Sequence, residues 1–455
     1  MRHVVVMTSA GAVGLLSMFG VDLVDMYFLT LLGEEELAAA VGYAGTLVFF
    51  LVSVSIGLLI ALGALVARSV GARQWDVARR YCSSALIFNG LVATFISAVA
   101  WFNLRPLLEI LGASGQTLEY AHSYASIVLP NMPILVLGMS MAAGVRAVGD
   151  ARRSMWVTVL GSLVNAGLDP LFIFTFNWGL EGAALASVVA RTVMMFLAWH
   201  VLSVVHKLPC KVSRQEFLSD IKPILTIAIP AVLTNLAVPI SGGFVLRTMS
   251  QFGDGAVAGA AIMGRITPVA FAAIFALSGA VGPIVGQNAG AALYPRVRST
   301  LTNAIVFNVL YVALVCMILA LCAKSIVSVF SASAEAAELI LFYTYFLAGS
   351  FAFNGMLFVA NASFNNLYHP HWATGFNFAR TLLGTIPAVY YGAKWYGPRG
   401  VLAGEALGAV VFGVLALGGL VVLVRRLERQ LPPSTDSPLS DAAVAGVVEN
   451  RGPPL

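Results

Sequence analysis

Trp178-Gly179-Leu180-Glu181-Gly182-Ala183-Ala184-Leu185-Ala186 is answered roughly 218 residues later by Tyr396-Gly397-Pro398-Arg399-Gly400-Val401-Leu402-Ala403-Gly404. In both stretches glycine stands directly after the aromatic residue and again three positions on. Other pairs keep nearly the same offset: Gly33 with Gly253, Ala38 with Ala258, and Gly71-Ala72 with Gly290-Ala291. All lie among long apolar segments. Two copies of one helical unit in a membrane suit a device whose halves rock against each other around a substrate.

Composition sets the solvent. Mean hydropathy is +0.89 and only 10% of residues are charged, which excludes an ordinary soluble domain. A helix of about 20 apolar residues crosses a bilayer, and about twelve such runs are present. Twelve divide into two sets of six. Both copies therefore insert with the same orientation, related by a pseudo-two-fold axis along the membrane normal. The expected architecture is an all-α membrane protein with twelve transmembrane helices in two six-helix lobes. Residues 1–206 form the N-lobe with spans 1–6, 207–221 a cytoplasmic connector with a short surface helix, and 222–428 the C-lobe with spans 7–12. Residues 429–455, rich in proline and serine, are expected to be a disordered cytoplasmic tail.

Orientation follows from the basic residues. Arg68, Arg73, Arg79, Arg80, Arg146, Arg152, Arg153, Lys207, Lys211, Arg296, Arg298, Arg425 and Arg426 fall on one side of this arrangement. The other side carries Arg105, Lys324, Lys394 and Arg399, with the acidic run Glu34-Glu35-Glu36. Both termini are thus expected in the cytoplasm and the chain in the cell (inner) membrane. The net charge of +5 reflects this bias and not nucleic-acid binding. The first span carries Asp22 and Asp25 and has no cleavage signature, so it reads as a span and not a leader. The cysteines show no metal-ligand spacing, and His369-Pro370-His371 reads as a bare loop.

Charge inside a membrane is costly, so buried ionisable residues mark function. Asp22 and Asp25 share one face of span one. Asn165 and Asp169 share a face of span five, where Pro170 loosens the helix. Ser187 and Arg191 lie one turn apart in span six. Asp25, Asn165, Asp169 and Ser187 together suit a proton or a small hard cation such as Na+, with Asp22 tuning its neighbour. Arg191 nearby favours H+ over Na+, because a fixed cation repels sodium. At the repeat offset Asp22 meets Gly242, Asp25 meets Val245 and Asp169 meets Pro387, so coupling belongs to the first half alone. The second half offers Arg265, Arg380 and Glu405, and Met263, Phe271, Phe353 and Met356 as lining for an apolar substrate cavity. Gly400, Gly404 and Gly408 recur every fourth residue as a seam for close helix contact. No phosphate loop, nucleophile–base pair or metal triad is present, so neither ATP drive nor an enzyme is expected, and no cofactor.

The chain resembles the multidrug and toxic compound extrusion (MATE) transporters, closest to the DinF-like branch. The matching residues are Asp25-Met26-Tyr27-Phe28, Leu37-Ala38-Ala39-Ala40, Asn165-Ala166-Gly167-Leu168-Asp169-Pro170, Gly182-Ala183-Ala184-Leu185-Ala186 and Pro283-Ile284-Val285-Gly286-Gln287-Asn288-Ala289-Gly290-Ala291. The resemblance implies two lobes around a central cavity. It also implies export of organic, often cationic, compounds against inward proton or sodium flow, with the coupling acids at Asp25 and Asp169. One departure is Ala142, where some relatives carry an asparagine near the cation site. A lipid-linked precursor flippase of the same superfamily is the alternative, kept open by Arg265 and Arg380. Small organic substrates and membrane lipid are the expected partners, and the fold needs no second copy to close its cavity, so a monomer is expected.

Overall fold

The computed structural model describes residues 2–30, 35–330 and 332–430, apart from some side chains around the first turn, including Asp22, Glu35 and Glu36. The expectations for Gly33, Glu34 and residues 431–455 therefore lie outside the described residues, as does the side chain of Asp22.

Among the described residues every regular element is helical. The first half holds α1 (Arg2–Thr30), α2 (Glu35–Gly71), α3 (Trp75–Phe102), the short α4 (Leu104–Ile110) and α5 (Gly115–Val128). A 3-10 turn (Leu129–Asn131) joins α5 to α6 (Met132–Ala147). Then come α7 (Ala151–Pro170) and α8 (Gly179–His200), each followed by a π turn, Leu171–Thr175 and Val201–Val205. The second half holds α9 (Arg214–Met249), α10 (Asp254–Ala270), α11 (Ala272–Gly290), α12 (Tyr294–Val329) and α13 (Ala334–Phe342). A π turn (Tyr343–Leu347) and a 3-10 turn (Ala348–Ser350) lead to α14 (Phe351–Asn366). Last are α15 (Pro370–Ala379), a π turn (Arg380–Thr385) and α16 (Ile386–Arg429).

Eleven described stretches are long and apolar enough to cross a membrane. The last, Pro370–Arg429, runs for 60 residues and turns back on itself at Gly397 (φ 60°, ψ −144°), so the chain crosses twelve times. Helices are the form that leaves no backbone group unpaired in hydrocarbon. The glycine seam makes the final turn back possible. A Cβ on Gly404 would lie 2.5 Å from the Ala388 carbonyl carbon, and one on Gly408 2.7 Å from the Thr385 hydroxyl oxygen. Gly400 and Gly392 face each other more closely still. Gly182 does the same in the first half, 2.8 Å from the Phe172 carbonyl. The repeated glycines are thus contact points between neighbouring helices.

The connector is shorter than the sequence suggests. A capping box, with the Ser213 hydroxyl accepting from the Glu216 backbone N–H and Glu216 reaching back, starts α9 at Arg214. The helix then runs unbroken into the next span, so 214–221 is not a separate surface helix. Asp220 holds it against the first half. Its side chain is 1% exposed, accepts from Ser84 Oγ at 2.7 Å and pairs with Arg80 at 3.2 Å.

The two halves meet at their basic ends through a two-fold contact. Gly71 at the end of α2 abuts the Gln287 backbone, and Gly290 at the end of α11 abuts the Arg68 backbone. Arg68 and Gln287 are repeat mates, as are Gly71 and Gly290. Each polar mate reaches into the opposite half. The Arg68 guanidinium lies 4.2 Å from the centre of the Tyr368 ring. Gln287 Nε2 donates to the Ala147 carbonyl at 2.7 Å. Higher up, α2 crosses α9 where a Cβ on Gly57 would sit 2.5 Å from the Val232 backbone nitrogen. Beyond this level the packed clusters among the described residues stay within one half: Ala40, Ala44 and Leu47 with Leu104 and Leu129, and Val245, Met249 and Ala256 with Leu339 and Val401. The halves are therefore joined at the basic end and separate toward the other.

Asp150 fastens the basic end of the first half. It caps α7, accepting from the Arg153 backbone N–H at 3.0 Å and its guanidinium at 2.8 Å, and contacts His206 Nε2 at 3.1 Å. Burial alone raises this carboxyl, but the His206 and Arg153 hydrogen bonds outweigh it and hold it well below the ordinary value of 3.8. A depressed acid stabilises the fold in full above its unfolded value and loses that contribution as pH falls below it. Asp150→Ala is therefore expected to cost about 1–2 kcal/mol at neutral pH. The cost shrinks below the ordinary carboxylate value. Thermal unfolding of both proteins in detergent, at neutral pH and at about pH 3, measures the difference.

Candidate functional site

The candidate site forms where α1 and α7 run side by side in the same direction. A Cβ on Gly14 would sit 3.5 Å from Thr158 Cβ, Ser17 Oγ donates to Ser162 Oγ at 3.4 Å, and Phe28 meets Phe174 edge-on at 5.8 Å. This register carries Asp25 of α1 to Asp169 of α7, and the two carboxyls come within hydrogen-bonding reach of each other. Asp169 is fully buried, and its Oδ2 also accepts from Asn165 Nδ2 at 2.9 Å. A hydrogen bond between two carboxyls needs a proton on one of them. The pair is thus a candidate position for a proton.

Local backbone makes room for this. Pro170 lacks an N–H and cannot continue the helix ladder. The π turn Leu171–Thr175 follows directly, and π turns often occur at functional sites.

Three further side chains close the cluster. Tyr124 of α5 lies within hydrogen-bonding reach of Ser187 and within electrostatic reach of Arg191, Asp25 and Asp169. Ser187 is buried. The structure thus brings together Asp25, Asn165, Asp169, Ser187 and Arg191, as their sequence positions imply, and adds Tyr124. An aromatic residue in an apolar span reads as packing, so Tyr124 escapes notice. The signal that finds it is the repeat, for Tyr343 stands at the same offset.

In the second half the expected cavity residues separate. Phe271 is fully buried and stacks on Phe351 at 4.2 Å, and Met263 packs among Val245, Leu339 and Val401. Both are interior packing of that half, which corrects their reading as cavity lining: Phe351 on one side and the cluster of Ile274, Val312 and Val315 leave Phe271 no exposed surface. Phe353 and Met356 are partly exposed on α14, and Arg265 is exposed on α10. Arg380 and Glu405 are each other's electrostatic neighbours, on the π turn Arg380–Thr385 and on α16. Among the described residues no cluster of three His, Cys, Asp or Glu side chains forms a metal site.

Comparison with known proteins agrees with this layout. The MatE family model matches twice, at residues 11–171 and 230–390, once in each half. A protein of Shewanella oneidensis named an FAD transporter is 25% identical over 90% of this chain and 91% of its own. The multidrug export protein MepA of Staphylococcus haemolyticus is 26% identical, over 89% and 90% of the two chains. A crystal structure of the Vibrio cholerae MATE transporter VcmN superposes with a TM-score of 0.89 at 24% identity, over 94% of this chain and 98% of that one. An outward-facing multidrug resistance MATE transporter superposes at 0.87 with 23% identity, over 94% and 96%. With a family match in both halves and a two-lobed helical fold shared with solved transporters, the chain belongs to the MATE family of membrane transporters.

Proposed function

We propose that this transporter is a secondary antiporter that exports organic compounds, often cationic ones, in exchange for protons entering through the first lobe. The observation that carries the reading is the Asp25–Asp169 pair. Two carboxyls that share a proton at one moment and lose it at another form the minimum device for coupling proton movement to a packing change. Proton is favoured over sodium on two grounds. Arg191 is a fixed cation beside the cluster. Asn165 turns an N–H, not an oxygen, toward Asp169. The basic end is taken as cytoplasmic by the positive-inside rule, which places both termini there. The DinF-like assignment, the inner-membrane location and the monomeric state belong to the same proposal.

The cycle begins with the separated ends open outward. Outside, Asp25 and Asp169 take up a proton. Loss of charge lets α1 repack against α7, and substrate leaves. The lobes rock about the contact between α2 and α9, opening the basic end. The proton leaves to the cytoplasm, and fresh substrate enters. Only a ligand with different affinity for the two states shifts their balance.

The test is ethidium efflux from proteoliposomes under a proton gradient or a sodium gradient alone. The reading expects efflux with the first and none with the second. Efflux with sodium alone would replace the proton by sodium. A second reading, export of an anionic flavin nucleotide, is favoured by the exposed Arg265 on α10 and by the relative named an FAD transporter. FAD competition with ethidium in the same vesicles decides it, because an anionic subsite would show inhibition.

A further inference from the structure

The second lobe has no acids that match Asp25 and Asp169, yet it keeps a carboxyl inside a span, Glu405 of α16. The repeat offset that carries Tyr124 onto Tyr343 also carries Leu129–Asn131 onto Ala348–Ser350, and the structure forms a 3-10 turn at both places. The offset of the glycine stretches carries Ser187 onto Glu405. In the first lobe Ser187 faces Tyr124. In the second lobe Glu405 lies within electrostatic reach of Tyr343. The same corner of the fold therefore holds a hydroxyl in one lobe and a carboxyl in the other.

We propose that Glu405 is a second proton-binding group, so that each lobe contributes a carboxyl to one transport cycle. This inference rests on the antiporter reading. The surroundings of Glu405 support exchange and not permanent pairing. Arg380, on the π turn Arg380–Thr385, is its charged neighbour. Its Nε is buried without a hydrogen-bond partner, and among the described residues the two groups form no direct ion pair within 4.0 Å. A locked buried ion pair resists protonation, whereas a carboxylate held only at a distance exchanges its proton more freely. Tyr343 is its other electrostatic neighbour and is itself tethered to Thr267 of α10, hydroxyl to hydroxyl, at 3.1 Å. Cys316 of α12 lies behind Tyr343. Glu405 thus has one cation and one hydroxyl within electrostatic reach, each on a π turn, and Thr267 joins through Tyr343. Protonation converts the carboxylate to the acid and frees Arg380 from its counter-charge. Release on the other side restores both. The π turns at Tyr343–Leu347 and Arg380–Thr385 give both neighbours backbone able to shift.

The experiment measures proton-to-ethidium stoichiometry in proteoliposomes from the proton gradient that just balances a set ethidium gradient. Glu405→Gln is expected to move one proton fewer per ethidium than wild type, and Glu405→Asp to keep the wild-type ratio. An unchanged ratio in Glu405→Gln overturns the proposal. Infrared difference spectra between high and low pH, recorded on protein in nanodiscs, need no transport. A carboxylic acid carbonyl band present in wild type should vanish in Glu405→Gln, and identical spectra overturn the proposal. If Glu405→Gln does not fold, Glu405→Asp must shift that band, and failure to shift it counts equally against Glu405. A wild type that exchanges no protons for ethidium sinks the antiporter reading. A proton-coupled wild type matched by Glu405→Gln sinks only the second site.

Discussion

Asp169→Asn is expected to lower proton-driven ethidium efflux by about 10- to 100-fold while leaving folded protein in the membrane. The magnitude follows from the coupling an ion must supply: shifting a two-state balance takes a few kcal/mol, and each 1.4 kcal/mol is about tenfold. The change is nearly isosteric. An asparagine at this position still accepts from Asn165 Nδ2 through its amide oxygen, so the local contact at 2.9 Å survives. It cannot gain or lose a proton. Substitution of Ser187 or Asn165 removes no titrating group, so Asn165→Ala is expected to have a smaller effect, a shift in the pH midpoint of efflux without its loss. Efflux rates against pH for the three proteins separate these outcomes. Wild-type proton-driven efflux in Asp169→Asn would show that this carboxyl carries no coupling.

Gly71→Leu is expected to abolish transport for a different reason. A Cβ at position 71 would meet the Gln287 carbonyl carbon at 2.6 Å, and the atom it meets is backbone that cannot rotate away. The basic ends of α2 and α11 then cannot close, and the outward-facing state loses its seal. Overpacking of this kind costs about 1–3 kcal/mol, enough to shift the populations of the two states by roughly 5- to 150-fold. Gly290→Leu is the two-fold mate and should act alike, because its Cβ meets the Arg68 backbone. Gly63→Ala, on the same helix with open space around it, should be silent. Spin labels at Gln74 and Leu293, which are exposed at this end of the two lobes, report the result as an increased separation in both leucine variants. A wild-type separation with wild-type efflux in Gly71→Leu would mean that the contact is not part of the cycle.

The architecture was legible because its determinants are few and repeated. Gly182 and Gly400 keep their spacing from an aromatic residue in both halves, and each turns out to sit where two helix backbones touch. Asp25 and Asp169 were legible because an acid in an apolar span has few reasons to be there. What the sequence hid is direction. Phe271 and Tyr124 are both aromatic residues in apolar spans, and nothing local says that one stacks inside a lobe while the other brings its hydroxyl to Ser187 beside two acids. The π turns were hidden as well, except after Pro170, because they arise from packing and carry no residue signature. The start of α9 is an intermediate case. Ser213 and Glu216 spell a capping box, but that the helix then continues without a break depends on Asp220 finding Ser84 and Arg80 in the other half.

Protonation of the Asp25–Asp169 pair opening the basic end is the claim on which the account turns. The direct measurement is the distance between spin labels at Gln74 and Leu293, by double electron–electron resonance, at high and low pH in lipid nanodiscs. The account predicts a short distance at high pH and a longer one at low pH. It also predicts that the doubly neutralised protein, Asp25→Asn with Asp169→Asn, stays at the longer distance at both. A wild-type distance that ignores pH would contradict it.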